Sequence, residues 1–267
     1  MGYFTLARKV DPRYKTNLLI LIMTIILLLV RGLITNDWGG SVSFSIGFFL
    51  SWALAREIDP LHEKSAFVVA FIYLTMGMWM VDINLGLVFW MVLLLRGITK
   101  ITGKTPTAID LLSLLGLGIY LINGQENGIY GLIFTLAMII AYRRFAKEGM
   151  FKVFIGLGIL VSVWGISSYS VSLREAALRI DSLPLILLVL GLGIFYGRML
   201  QKDQGIRDDL GNLMESNYVL LSYLFYLGTY VVLILATDLE EGSLGLLFAV
   251  ILGVSVYRVW LMISKKE

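Results

Sequence analysis

Residues 17–35 read NLLILIMTIILLLVRGLIT, and this stretch decides which solvent the chain folds in. Arg31 is its only charged residue, and the residues before it are apolar in almost every direction around a helix. As a helix these residues rise ~28 Å at 1.5 Å per residue, which matches a bilayer hydrocarbon core of about 30 Å. A soluble helix needs one polar face, whereas a lipid-exposed helix is apolar on nearly every side. The basic residues ahead of it (Arg8, Lys9, Arg13 and Lys15) imitate a secretory signal. No small-x-small cleavage site follows, so the segment reads as a retained first span.

The pattern recurs along the chain. Clear candidate spans lie at 127–142, 151–170, 183–199, 217–236 and 243–263, with shorter ones at 41–55, 66–81, 83–96 and 108–123. Hydrophobic residues make up 58% of the 267 residues and charged residues 15%. Soluble domains run at about 45–50% and about 25%, and one core could not hide this excess. The expected fold is all-α: a polytopic integral membrane helical bundle of ten transmembrane segments, forming a single membrane domain over residues 1–267. With no cysteine in the chain, disulfides, thiol catalysis and cysteine-ligated metals are excluded. The net charge of +3 comes from basic residues scattered between apolar runs, not from a basic domain. The expected partners are therefore the bilayer and its anionic headgroups, with other membrane subunits as a further possibility, and not nucleic acid.

Charge gives the orientation. With ten crossings and the N-terminus inside, nineteen of the 22 Lys and Arg fall on the inner side. The exceptions are Arg174, Arg179 and the intramembrane Arg31. That division follows the positive-inside bias and puts both termini in the cytoplasm, in a cell (plasma) membrane. Joining 66–96 into one helix would break the bias, and the turn Asp82-Ile83-Asn84 marks a break there. The two arms of this hairpin are short. A re-entrant hairpin would give the same charge pattern and reduce the count to eight.

Leu6-Ala7-Arg8-Lys9-Val10-Asp11-Pro12 recurs as Leu54-Ala55-Arg56-Glu57-Ile58-Asp59-Pro60, each ahead of a hairpin. This suggests a parallel hairpin repeat over residues 6–53 and 54–101.

The densest polar cluster is residues 56–64, where Glu57, Asp59, His62 and Glu63 form a candidate polar site containing the only histidine. These groups suit metal binding or proton transfer, although a metal needs further ligands from another loop. Read blandly, the same residues are a solvated loop of mixed charge. Arg31, Asp82 and Asn84 form a second, intramembrane candidate set. Arg31 is expected to reach the outer interface or to pair with Asp37, Asp82 or Glu126. Asp110 sits in a first helical turn and reads as a cap. Residues 171–181 have the pattern of a surface amphipathic helix. Gly103-Lys104-Thr105 ends like a phosphate loop, but Ile98 stands where the first glycine belongs. No catalytic residue, cofactor site or metal site is assigned.

Three functional classes fit. The preferred one is a transporter, channel or lipid-translocating protein for a neutral or amphiphilic substrate. The span centres hold almost no carboxylates, which argues against carboxylate-based ion coupling. Ser41, Ser45, Ser51, Asn84 and Ser113 would line its path, unless their side chains bond their own helices. A non-catalytic subunit of a larger membrane complex is the first alternative. The second is a lipid-modifying enzyme acting at the cytoplasmic interface around Asp59 and His62.

Overall fold

The computed structural model describes residues 4–8, 10–77, 82–145, 149–169, 183–201, 203 and 205–264. Among them there are ten helices and no strand: α1 (Lys15–Thr35), α2 (Trp38–Ile58), α3 (Glu63–Gly77), α4 (Leu85–Thr99), α5 (Ala108–Gly124), α6 (Ile129–Arg144), α7 (Met150–Tyr169), α8 (Leu183–Leu200), α9 (Ser216–Ala236) and α10 (Glu241–Ser264). Six of them, α1, α2 and α7 to α10, are long and apolar enough to cross a membrane. The sequence-expected surface helix at 171–181 lies outside the described residues.

Helix boundaries follow local chemistry. α1 ends at Asn36, which takes a left-handed φ of 53°, and Asp37 then caps α2 by accepting the Gly40 N–H at 2.9 Å. α2 is therefore longer than the expected 41–55, because polar residues at both ends belong to the helix. Pro60 cannot continue it, and Asp59 closes its last turn with an N–H bond of 2.8 Å to the Ala55 carbonyl. Asn84 caps α4 through the Leu87 N–H at 3.0 Å. Thr107 and Asp110 form a reciprocal capping box on α5, so Asp110 is a cap as expected.

α2, α4, α9 and α10 form the middle of the bundle, with α6 against α4 and α9. α4 is buried at most positions, with Trp90, Met91, Leu94 and Leu95 all at 0% exposure. At 15 residues it rises only ~22 Å. A helix enclosed by protein need not match the lipid thickness. α1 is the opposite case: 11% of its spanning window is buried, against 61% for α2, on which it packs. Leu18, Ile22, Ile25, Leu29 and Leu33 remain exposed along it.

The α3–α4 turn reaches the end of the bundle where α9 joins α10. The Asn84 N–H donates to Ser243 Oγ at 2.7 Å, and the Asp82 carbonyl lies where a Cβ on Gly242 would collide with it. Asp82, Ile83, Glu240 and Asp37 face one cavity, so this turn stands level with the α1–α2 and α9–α10 connections. The hairpin therefore traverses the bundle from end to end. The chain ends of α2, α4, α6, α8 and α10 gather at the other, basic end.

Small residues set the closest contacts. A Cβ on Gly128 would lie 2.6 Å from the Ile166 backbone nitrogen, so α6 and α7 pack backbone to backbone there. We expect Gly128→Val to force the two helices apart at a cost of at least about 1–3 kcal/mol. Thermal unfolding in detergent checks this. Gly156→Ala, on α7 with nothing within 4 Å of the added Cβ, should leave the midpoint unchanged or raise it.

Candidate functional site

The last turn of α2 carries Glu57 and Asp59 into the basic end, and neither is solvated. They are 1% and 0% exposed, which corrects the bland expectation of a solvated loop. A buried carboxylate is stable only when paired. Each of these two has a guanidinium from a distant helix.

Glu57 Oε1 accepts Arg96 Nε, from α4, at 2.8 Å. Arg8 Nη1 stands 3.7 Å from the same oxygen, while Arg8 Nη2 donates to Asp209 Oδ1 at 2.6 Å. Arg96 also donates to the Leu6 carbonyl at 3.2 Å. The group holds two cations and two anions and is balanced.

Asp59 Oδ1 accepts Arg258 Nη2, from α10, at 3.0 Å, and His62 Nδ1 lies 3.0 Å from the same oxygen. Arg258 also donates to both oxygens of Asp203, in the connection between α8 and α9. Tyr196 and Tyr257 wall this group. The Tyr196 ring lies 5.4 Å from the Arg258 guanidinium, its hydroxyl donates to the Ile58 carbonyl at 3.2 Å, and the Tyr257 ring lies 5.8 Å from His62.

The structure thus divides the four sequence candidates. Asp59 and His62 meet Arg258, Glu57 belongs to the Arg96 group, and Glu63 faces Arg56 at 3.0 Å with an exposed side chain. The oxygen ligands that a metal would need from another loop are supplied by Asp203. Asp59, His62 and Asp203 each offer one donor atom, all within 4.8 Å of one another. The Arg258 guanidinium already bridges the two carboxylates, however, and supplies the cation that they require. The arrangement is an ion-pair lock between the α2–α3 turn, the α8–α9 connection and α10.

At the opposite end a cavity of ≈ 440 Å³ is lined by Asp37, Gly40, Ser43, Asp82, Ile83 and Glu240. Asp82 is exposed and lines this cavity, whereas Asn84 serves as the α4 cap. Arg31 forms no ion pair among the described residues, so of its expected roles the pairing with Asp37, Asp82 or Glu126 is not seen. Its guanidinium sits 4.5 Å from the centroid of the Phe44 ring on α2, a cation–π contact that an intramembrane cation can make without an anion.

The expected hydroxyl path is mostly spent on helix backbone. Ser41, Ser51 and Ser113 donate to the carbonyls of Asp37, Phe48 and Ile109, at 2.5, 2.8 and 2.8 Å. Ser45 is buried and has no such partner among the described residues.

Sequence reasoning missed Arg8, Arg96, Asp203, Asp209 and Arg258 as partners. Arg258 alone left a signal, because it interrupts the apolar run of α10 ahead of its end. No family model, curated protein or solved structure matches this chain.

Removing one member of a buried pair leaves the other charge uncompensated, at a cost of about 3–5 kcal/mol. We expect Arg258→Gln to lower the unfolding midpoint in detergent strongly. Asp59→Asn combined with Arg258→Gln should cost less than the sum of the two single changes, and a double-mutant cycle reads this coupling.

Proposed function

We propose that the chain is a ten-span membrane transport protein, with its basic end and both termini in the cytoplasm, that moves a neutral or amphiphilic solute or lipid across the cell membrane. One observation carries this reading, the contrast between the two ends of the bundle. One end has a polar cavity bounded by three interhelical connections. The other holds two groups of buried ion pairs set among apolar contacts. A closure made of ion pairs lies near energetic balance and can exchange partners, as alternating access requires. The span centres still lack carboxylates, since Glu57 and Asp59 lie at the last turn of α2. This supports transport without carboxylate-based ion coupling.

The ten-span count is supported by the end-to-end α3–α4 hairpin and by the gathering of basic connections at one end. Surplus cations there, among them Lys100, Lys104 and Arg143, are the groups that would meet anionic headgroups. The exposed apolar faces of α1, α7 and α8 are what contact with lipid requires, and they give the subunit alternative no separate support. The parallel hairpin repeat remains a proposal. Its second copy lies in the last turn of α2, whereas Leu6–Arg8 in the first is not helical.

A lipid-modifying enzyme is the second reading, favoured by the convergence of Asp59, His62, Asp203 and Arg258 at one interface. It predicts a changed headgroup in lipid recovered from vesicles, abolished by His62→Gln.

Two measurements test the main reading. Cysteines replacing Trp38 and Asp82 should react with an impermeant maleimide from outside the cell, while one replacing Gly149 should not. Labelling of all three from outside breaks the topology. In reconstituted vesicles, flip of a fluorescent phosphatidylcholine or glycerol-driven swelling should exceed that of protein-free vesicles several-fold. If both rates equal the protein-free rates, the transport reading fails.

A further inference from the structure

One non-helical stretch is built into the basic end more firmly than a connection to a peripheral helix requires. Leu6 is 0% exposed. The Thr5 N–H donates to Asp110 Oδ1 at 2.8 Å and the Thr5 hydroxyl to Asp110 Oδ2 at 2.7 Å, with the Thr105 carbonyl also within 3.1 Å. The Leu6 N–H lies 3.4 Å from the same carboxylate, and the Leu6 carbonyl accepts Arg96. Arg8 then reaches both Asp209 and Glu57. Four residues thus join α2, α4, α5 and the α8–α9 connection.

Most of these contacts are polar, with Leu6 as the single fully buried apolar anchor. The segment leads into α1, the helix with the least interior contact. α1 packs on α2 and makes little contact with α4, α9 or α10, so movement of the segment with α1 would not require those helices to separate.

We infer that Thr5–Arg8 is a detachable strap that closes the basic mouth of the bundle. When it lifts, Arg8 leaves Glu57, which keeps only Arg96, and the inner end of α2 opens to water. As an inner gate, the strap rests on the transport reading. As a movable closure it is tested without any flux measurement, so the two can fail separately.

The cysteine-free chain allows a direct test. Single cysteines are placed at Leu6 on the strap, at Ala53 one turn inward on the Glu57 face of α2, and at Val250 in the core of α10. Ala53 is 5% exposed and Val250 0%. Maleimide labelling of the purified full chain in detergent is timed in the parent, in a strap-side variant (Thr5→Val with Arg8→Gln) and in Asp110→Asn. Loss of these charge-assisted bonds should speed labelling at positions 6 and 53 about tenfold or more, with no change at position 250. Unchanged labelling at position 6 in both variants overturns the strap. Labelling that rises at 6 but not at 53 overturns its role as a closure. A rise at position 250 in both variants also overturns the proposal, because the segment would then be an inseparable part of the fold.

Discussion

Two carboxylates separated by a single residue at the end of α2 organise the basic half of this protein. Glu57 and Asp59 are both removed from water, and a carboxylate in that state must have a cation within hydrogen-bond reach or give up its charge. Glu57 takes its cation from α4 and from the segment before α1, whereas Asp59 takes its own from α10. The ends of four separate chain regions are therefore brought to one place by a local requirement of two side chains. The α8–α9 connection is held in the same way, since Asp203 and Asp209 complete the two groups from two points on one loop.

This requirement matters more in lipid than it would in water. Hydrocarbon tails are as apolar as leucine, so burying a helix against another helix gains little from the hydrophobic effect, and neighbours must be chosen by other means. Here the choice rests on close backbone approaches and on polar contacts. Gly253 lets α10 lie against Val69 of α3, where a Cβ would stand 2.7 Å from the Val69 Cα. Tyr226 donates to the Leu247 carbonyl and Trp90 to the Leu114 carbonyl, each at 2.8 Å, joining α9 to α10 and α4 to α5. The middle layer is thus specified helix by helix, and the buried ion pairs fasten the result at one end.

Much of the fold was legible because its main determinant is one-dimensional. Length and continuous apolarity locate a spanning helix with no knowledge of its neighbours, so all ten helices fall where the hydrophobic runs lie. The exceptions are instructive. α2 extends beyond its apolar centre because Asp37 and Asp59 are held as a cap and an ion-pair partner, not as loop residues. The 56–64 cluster was visible, but its burial was not. The arginine bonded to Glu57 is 39 residues away and the one bonded to Asp59 is 199 away, separations at which sequence pattern carries no pairing information. Arg31 was recognisable as a cation out of place, yet its partner is an aromatic ring, and no charge count can find one. Asp110 was read correctly as a cap, and its second role, holding Thr5 across 105 residues, leaves no local trace.

The asymmetry between the ends has a physical consequence that ties architecture to function. An apolar plug at the mouth of a bundle is opened only by exposing hydrocarbon to water, at about 25 cal/mol for each Å² uncovered. A plug of buried ion pairs stands differently, because the attraction between the charges is nearly cancelled by the cost of keeping them dry. Opening such a closure rehydrates every group that it separates, so the open and closed forms differ by less than the contacts of either would suggest. Glu57, Arg96 and Arg8 form a buried ion-pair group of this kind, with Arg8 carried on a segment outside the helices. At the acidic end Asp37, Asp82 and Glu240 face a cavity. On the transport reading proposed above, inverting the arrangement would mean separating these ion pairs. The member of that group held mainly by polar bonds, Arg8, is also the one attached to the least buried of the candidate spanning helices.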